Sequence, residues 1–403
     1  MTSNTLSEQK RVPQTMQALH LPPGPYNKEH MPMSSSSLIY RVDAPVPIPS
    51  ARQYLIKVQA ATVLAGEVQA QLLRASSSSN SSNGSINLHG HIPGREFSGK
   101  IISTPQQDYA KSTGPAYKVN DQVFGLLDTE QNGNGAAADY VLATENELAW
   151  KPQNVSAAEA ATIPLPALTA WQGLFSYATL DPDDGPCNRP ADGPLRVLVT
   201  NAAGSEVGRQ AMRLLQSRAL FPDHKSHVMG GGDEKEKPVW ICATGARDDH
   251  GYLCGELGAD AVTSGTDIAA AFRENGWDPV DIVFDCIAAG GASLRQVHSP
   301  VVVKDHGHVI TPYRCPSAHP EKPAEREEKA EIRTRNLTSK VINVKPDVKQ
   351  LAKIAELVEK GVLKPAGFLQ VEDLLHGREA LIQAEQISGS QGQVVLRVDP
   401  AMD

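Results

Sequence analysis

Apolar positions follow one rhythm early in the chain and another later. Between Met16 and Ala143 they come in short alternating runs. Gln17–Leu21 reads as a first strand, Tyr54–Ala60 alternates as a half-buried strand does, and Val119–Leu127 and Ala137–Ala143 add short strands separated by glycines. Short strands separated by turn residues predict a β-rich unit. The rhythm changes near Ser156, where residues 156–175 are alanine-rich with helical spacing, broken at Pro164 and Pro166. Continuous apolar runs follow at Leu195–Thr200, Val239–Ala243, Asp260–Val262, Asp281–Ile287 and His308–Thr311. Helical patterns at Arg209–Gln216 and His250–Leu257 lie between them. Strands apolar throughout, alternating with helices, predict a parallel sheet covered on both faces. Val348–Lys360 reads as an amphipathic helix stopped at Gly361, and Gln393–Val398 as a closing strand.

Composition narrows the choice of function. With 403 residues, the chain is long enough for two domains or three. It is 40% apolar and 21% charged, with net charge −8 and no basic block, which argues against nucleic-acid and anionic-membrane partners. No run approaches the ~18 apolar residues of a membrane span. The five cysteines, Cys187, Cys242, Cys254, Cys286 and Cys315, are scattered and never form CxxC, so neither a disulfide framework nor a structural zinc lobe is expected. Residues 1–15 are polar, expected to be disordered, and lack the apolar core of a secretory signal. The expectation is a soluble cytoplasmic protein. Its 32 glycines and 29 prolines, with two serine runs, mark insertions at Ser34–Ser37, Ser76–Ser85, Asp181–Pro194 and Pro222–Pro238, and the charged segment Ala318–Arg335 reads as a fifth.

One succession of residues carries chemistry. The strand Leu195–Thr200 leads through the small-residue turn Ala202–Gly208 into a helix. Such a unit cradles a dinucleotide: small residues admit the pyrophosphate, and the helix start offers unpaired N–H groups and a positive dipole end. A tightly packed turn with no ligand would show the same pattern. Only Gly204 and Gly208 remain of a GxGxxG, the turn is one residue longer than usual, and its first glycine position is Asn201. Glu206 puts an acid where a pyrophosphate would lie. The second strand ends Cys242-Ala-Thr-Gly-Ala-Arg247, with no acid before Asp248. NAD sites carry an acid there for the ribose 2′-hydroxyl, whereas an Arg accommodates a 2′-phosphate, so Thr244 and Arg247 point to NADPH.

Six segments then share an order: Ile92-Pro-Gly-Arg-Glu-Phe-Ser-Gly, Val119-Asn-Asp-Gln-Val-Phe-Gly, Ala161-Thr-Ile-Pro-Leu-Pro-Ala-Leu-Thr-Ala-Trp, Val197 to Gly208, Glu256-Leu-Gly-Ala-Asp and Val358-Glu-Lys-Gly-Val-Leu-Lys-Pro. Together they resemble the medium-chain dehydrogenase/reductase superfamily in its zinc-independent quinone- and enoyl-reductase branch. Length and insertions are similar to those of fungal trans-acting enoyl-reductase relatives. The resemblance implies an α/β chain with a Rossmann dinucleotide-binding domain at 166–344 and a GroES-like β-rich catalytic domain from 16–165 and 345–403, with the active site in the cleft. It implies that Ala203, Gly204, Ser205, Glu206, Val207 and Gly208 run along the cofactor and that Thr169 sits near the nicotinamide carboxamide. Thr244 and Arg247 would take the 2′-phosphate; Cys286, Ile287 and Ala288 would line the ribose and nicotinamide, and Thr311 would follow the fifth strand.

The chain also departs from that family. Where zinc-dependent members carry a GHE motif it has Gly94-Arg95-Glu96, and the earlier Cys position, within Ala60–Glu67, holds no Cys. No metal is therefore expected; His89 and His91 form a HxH pair without an evident third ligand. The Asn, Tyr or Asp usual after the Ile56 strand is replaced by Leu64 and Glu67. Hydride transfer to carbon still needs a proton or a stabilised enolate oxygen. Arg95, Glu67, Tyr140 and His91 are the candidates, with water the alternative. The expected activity is NADPH-dependent hydride transfer to an enone, enoyl thioester or quinone, in fungal secondary metabolism. The expected partner is a small-molecule substrate, free or carrier-protein-tethered, and the expected state monomer or homodimer. The alternative is an NADPH-binding member with a redox-neutral or scaffolding role.

Overall fold

The computed structural model describes residues 12–22, 34–64, 66–67, 91–105, 115–128, 135–180, 193–222, 224–225, 235–264, 267–287, 296–312, 330–367, 369–388 and 393–399. The serine run 76–85, residues 1–11 of the polar start, His89 and Ala288 lie outside them, as do most of the Asp181–Pro194 insertion and residues 313–329.

In chain order the strands begin with β1 (Thr15–His20), β2 (Ile39–Pro45), β3 (Gln53–Leu64), β4 (Glu96–Ser103), β5 (Gln122–Leu126), β6 (Tyr140–Thr144) and β7 (Leu148–Trp150). Two helices follow, α1 (Ala157–Ala160) and α2 (Pro164–Trp171), the second running into a π-helical turn at Gln172–Tyr177. Then come β8 (Leu195–Thr200), α3 (Glu206–Gln216), β9 (His224–Lys225), β10 (Lys235–Glu236), β11 (Val239–Thr244), α4 (His250–Gly255), β12 (Ala261–Thr263), α5 (Ile268–Asn275), β13 (Val280–Asp285), β14 (Val303–Thr311) and β15 (Thr338–Val341). The chain closes with α6 (Val348–Glu359), β16 (Val371–Asp373), α7 (Gly377–Ser388) and β17 (Gln393–Arg397).

The chain divides into two units. The first runs to Pro164 and resumes over Pro346–Ala355 and from Pro365; the second is Leu165–Lys345 with Glu356–Lys364.

In the first unit β3 is the spine. It pairs antiparallel with β4, β6 and β17, and nine of its twelve residues are buried. The strand read at Tyr54–Ala60 runs on to Leu64 and is covered on both faces rather than half-buried, with Tyr54, Leu55 and Ile56 buried in succession. Its neighbours complete a seven-stranded sheet, and β1–β2 form a separate ribbon. Tyr54, Ile56, Phe97, Ile101 and Tyr117 fill the core, with Tyr54 and Tyr117 edge to face at 5.6 Å. Ser34–Ser37 is not a loose insertion. Ser34 caps a 3-10 turn over Ser35–Ser37, and Ser35 is buried with its amide and hydroxyl both donating to Glu385 (2.8 and 2.7 Å).

In the second unit six strands lie parallel in the order β12-β11-β8-β13-β14-β15. That is the Rossmann arrangement, with the strand order reversing between β8 and β13. Val197, Leu198, Val199, Ile241, Val283, Phe284, Val309 and Ile310 are buried in its centre, as continuous apolar runs require. The sixth strand, β15, carries Thr338, Ser339, Lys340 and Val341, three of them exposed. An exposed edge strand has no apolar run to announce it. Among the described residues no helix is long and apolar enough to cross a membrane.

Candidate dinucleotide site

At the point where strand order reverses, an open parallel sheet leaves a crevice outside the carboxyl ends of its strands. Here those ends are Thr200 on β8 and Asp285 on β13, which are register partners.

The turn leaving β8 starts at Asn201, with φ +47°. This left-handed conformation usually selects glycine, but Asn tolerates it. Asn201 thus meets the demand of the missing first glycine. Its amide donates to Thr244 Oγ1 (2.9 Å), the Ala202 amide donates to the Thr244 carbonyl (3.0 Å), and its Nδ2 donates to the Cys286 carbonyl (3.4 Å). The turn is therefore tied to both flanking strands. Ser205 is buried and caps α3 by accepting from the Gly208 amide at 3.3 Å. The helix consequently begins at Glu206, three residues before the apolar pattern shows it. The Glu206 and Val207 amides, at its first two positions, have no acceptor one turn back within the helix. A side chain at Gly204 would collide with the Asn201 amide oxygen, and a Cβ at Gly208 would stand 3.0 Å from the Ala202 Cα. Small residues and free amides at a switch point fit a dinucleotide diphosphate.

The remaining expected cofactor residues fall unevenly. Thr244 ends β11 at 2% exposure, its hydroxyl accepting from Asn201. Its part is to hold the turn, which leaves exposed Arg247 as the side chain at that tip. Glu206 is paired with Arg209. Cys286 is fully buried, and burial holds its thiol well above the usual cysteine range despite a Ser205 hydrogen bond. Half-buried Ile287 follows, its amide 3.4 Å from Asp285 Oδ1. Thr311 ends β14, and its carbonyl accepts from the Ile342 amide. Thr169 is buried on α2 and donates its hydroxyl proton to the Leu165 carbonyl at 2.6 Å, leaving its lone pairs as acceptors.

One buried acid at the candidate site is not singled out by the sequence. Asp285 is 0% exposed at the end of β13. Thr200 donates to its Oδ1 in a short hydrogen bond, and its Oδ2 has no partner among the described residues. Thr200 in turn accepts from the Cys286 amide at 3.0 Å, which closes a small network between the two strand ends. The sequence signal was a single acid terminating the apolar run Ile282-Val-Phe. Burial pushes the Asp285 carboxyl up, more than Thr200, the Ile287 amide and His298 pull it down. A group raised on folding contributes stability that is present in acid and is lost as pH rises through its folded value. The melting temperature of the parent relative to Asp285→Asn is therefore expected to rise as pH falls from neutral toward mildly acid. Thermal denaturation of both proteins across that range checks this, and a pH-independent difference would contradict it.

In the first unit the four proton-handling candidates do not all gather. Glu67 is buried, with Oε1 accepting from the Gly94 amide (2.9 Å) and Oε2 from the Leu64 amide (3.5 Å). This holds the strand end. Arg95 is half-buried nearby and donates Nε to the Leu127 carbonyl at 3.3 Å. Tyr140 opens β6 opposite Lys57, whereas Glu96, next to Arg95, lies opposite Thr62. Those positions are roughly 17 Å apart along β3 at ~3.3 Å per residue. Burial, with Asp139 and Asp399, outweighs Lys57 and raises the Tyr140 phenol. His91 is half-buried, and its carbonyl accepts from the Leu21 amide.

Zinc does not fit these residues. Arg95 stands at the histidine position and cannot ligate a cation, and both Glu67 oxygens face backbone amides. Among the described residues no cluster of three or more His, Cys, Asp or Glu could hold a metal.

Comparison with known proteins places this geometry. A family model described as zinc-binding dehydrogenase matches residues 257–396. A probable zinc-binding oxidoreductase, mitochondrial, of Arthroderma benhamiae is 30% identical over 359 residues, covering 88% of this chain and 91% of the relative. A chloroplastic quinone-oxidoreductase homolog of Spinacia oleracea is 30% identical over 175 residues, 43% of this chain and 46% of that one. The solved CurK enoyl reductase superposes with TM-score 0.67 at 20% identity, over 96% of this chain and 100% of its own. The chain belongs to the medium-chain dehydrogenase/reductase superfamily of oxidoreductases.

Proposed function

We propose that the protein is an NADPH-dependent, zinc-independent reductase that transfers a hydride to the activated C=C of an enone or enoyl thioester, or to a quinone, in fungal secondary metabolism. The observation that carries this is the β8–α3 turn at the switch point, with exposed Arg247 at the neighbouring strand tip and no acid before Asp248. The nicotinamide supplies the hydride when bound. The Glu206 and Val207 amides receive the diphosphate, and Arg247 receives the 2′-phosphate. The Thr169 hydroxyl oxygen accepts from the carboxamide. Arg95 would stabilise negative charge on an enolate oxygen. Glu67 acts by holding the Gly94 backbone behind Arg95, and water completes the reaction as proton source.

The substrate is a small molecule, free or tethered to a carrier protein, and the protein works as a monomer or homodimer. Free thiols at Cys242, Cys254 and Cys286 suit a reducing compartment such as the cytoplasm.

The assay is loss of NADPH absorbance with a panel of enones, enoyl thioesters and quinones, before and after treatment with a metal chelator. Turnover that survives the chelator is expected; turnover abolished by it and restored by zinc would overturn zinc independence. A second reading, nucleotide binding with a redox-neutral or scaffolding role, draws on the distance of Tyr140 from Glu67 and Arg95. It predicts tight NADPH binding without oxidation by any member of the panel.

A further inference from the structure

Helix α3 begins with a charge of the wrong sign for a phosphate ligand. Glu206 holds its first position, where a carboxylate favours the helix dipole but repels an anion drawn to the same amides. Arg209 answers that charge. Its Nε donates to Glu206 Oε2 at 3.1 Å, and its Nη2 makes a short ion pair with Oε1. Its Nη1 donates to the Ala203 carbonyl, inside the turn itself. The Arg209 and Glu206 side chains are only 18% and 16% exposed, so water screens the pair poorly. An ordinary surface pair one helical turn apart stiffens the helix by a few tenths of a kcal/mol and reaches nothing outside it. This one bridges the first helical residue and the glycine turn, and an arginine fork with five N–H donors keeps some in reserve.

We propose that Arg209 is a positioning residue for the dinucleotide. By cancelling Glu206 and pinning the Ala203 carbonyl, it converts an acid-bearing helix start into one that accepts a diphosphate. The proposal rests on the reading of this turn as the dinucleotide site.

The test compares the parent with Arg209→Gln, Glu206→Gln and the double variant. Each is titrated with NADPH and NADH by nucleotide fluorescence at low and moderate salt, and each is melted without nucleotide. Arg209→Gln is expected to weaken NADPH binding about tenfold, because an uncompensated carboxylate then faces the diphosphate. Because the Glu206 carboxylate is largely buried, salt should reduce that loss only slightly. Glu206→Gln should bind at least as tightly as the parent, and the double variant should recover most of the lost affinity. Melting temperatures should not track the affinities. Unchanged binding in Arg209→Gln overturns the proposal. So does a double variant as weak as Arg209→Gln, or a Glu206→Gln variant equally weak, since either makes the pair a mere brace. A parent that binds neither NADPH nor NADH overturns the dinucleotide reading itself, and the proposal with it.

Discussion

A Gly208→Val variant is expected to lose NADPH affinity by roughly 10- to 100-fold, because overpacking at a rigid contact costs ~1–3 kcal/mol and here displaces the binding elements themselves. A Cβ at this position meets the Ala202 Cα at 3.0 Å, its carbonyl oxygen at 3.2 Å and the Asn201 carbonyl oxygen at 3.3 Å. These are backbone atoms of the turn, and the turn is tied to β11 through Thr244. Neither side can swing away as a flexible side chain would. Valine must push α3 from β8 and carry the Glu206 and Val207 amides out of place. Gly251→Ala on α4 is the control, since nothing lies within 4 Å of its Cβ position. Fluorescence titration of both variants reads the effect. A Gly208→Val protein that binds NADPH like the parent would remove the close turn from the account.

The second large effect concerns the choice between nucleotides. Arg247→Ala is expected to weaken NADPH binding roughly 10- to 100-fold, because a hydrogen bond to a charged group contributes ~1.5–3 kcal/mol. NADH lacks the 2′-phosphate, so its affinity should stay within about twofold by the same reasoning. Thr244 cannot take over: it is buried, and its hydroxyl serves the Asn201 amide. Parallel titrations decide the matter. Equal losses for both nucleotides would assign Arg247 a structural part, and no loss for either would assign it a solvating one.

The elements legible in the sequence are those whose burial leaves a pattern. β8, β11 and β13 are buried on both faces, so their apolar runs marked them directly. β15 is an exposed edge and left no such mark. Ser34–Ser37 looked like padding because low complexity conceals what a backbone hydrogen bond to Glu385, some 350 positions away, can order. The site was legible where small residues and charges stand in a fixed local order: Asn201 to Gly208, and the Thr244–Arg247 tip. The partnerships were not. That Asn201 can serve as a glycine depends on its φ, and that Thr244 faces the turn depends on strand neighbours far apart in sequence. Tyr140 and Glu96, the neighbour of Arg95, lie opposite different positions of β3, Lys57 and Thr62, which only the register reveals. Arg209, adjacent to the turn, reads in the sequence only as the start of a helical pattern; its bond back to Ala203 depends on how the turn folds.

The central claim, hydride transfer from NADPH to an activated double bond without metal, is tested most directly with NADPH carrying deuterium at nicotinamide C4. Chelator-treated protein is incubated with this nucleotide and an enone, and the product is read by mass and NMR. Deuterium bonded to the carbon β to the carbonyl is the predicted result. NADPH that binds tightly and keeps its label through every enone, enoyl thioester and quinone offered would contradict it.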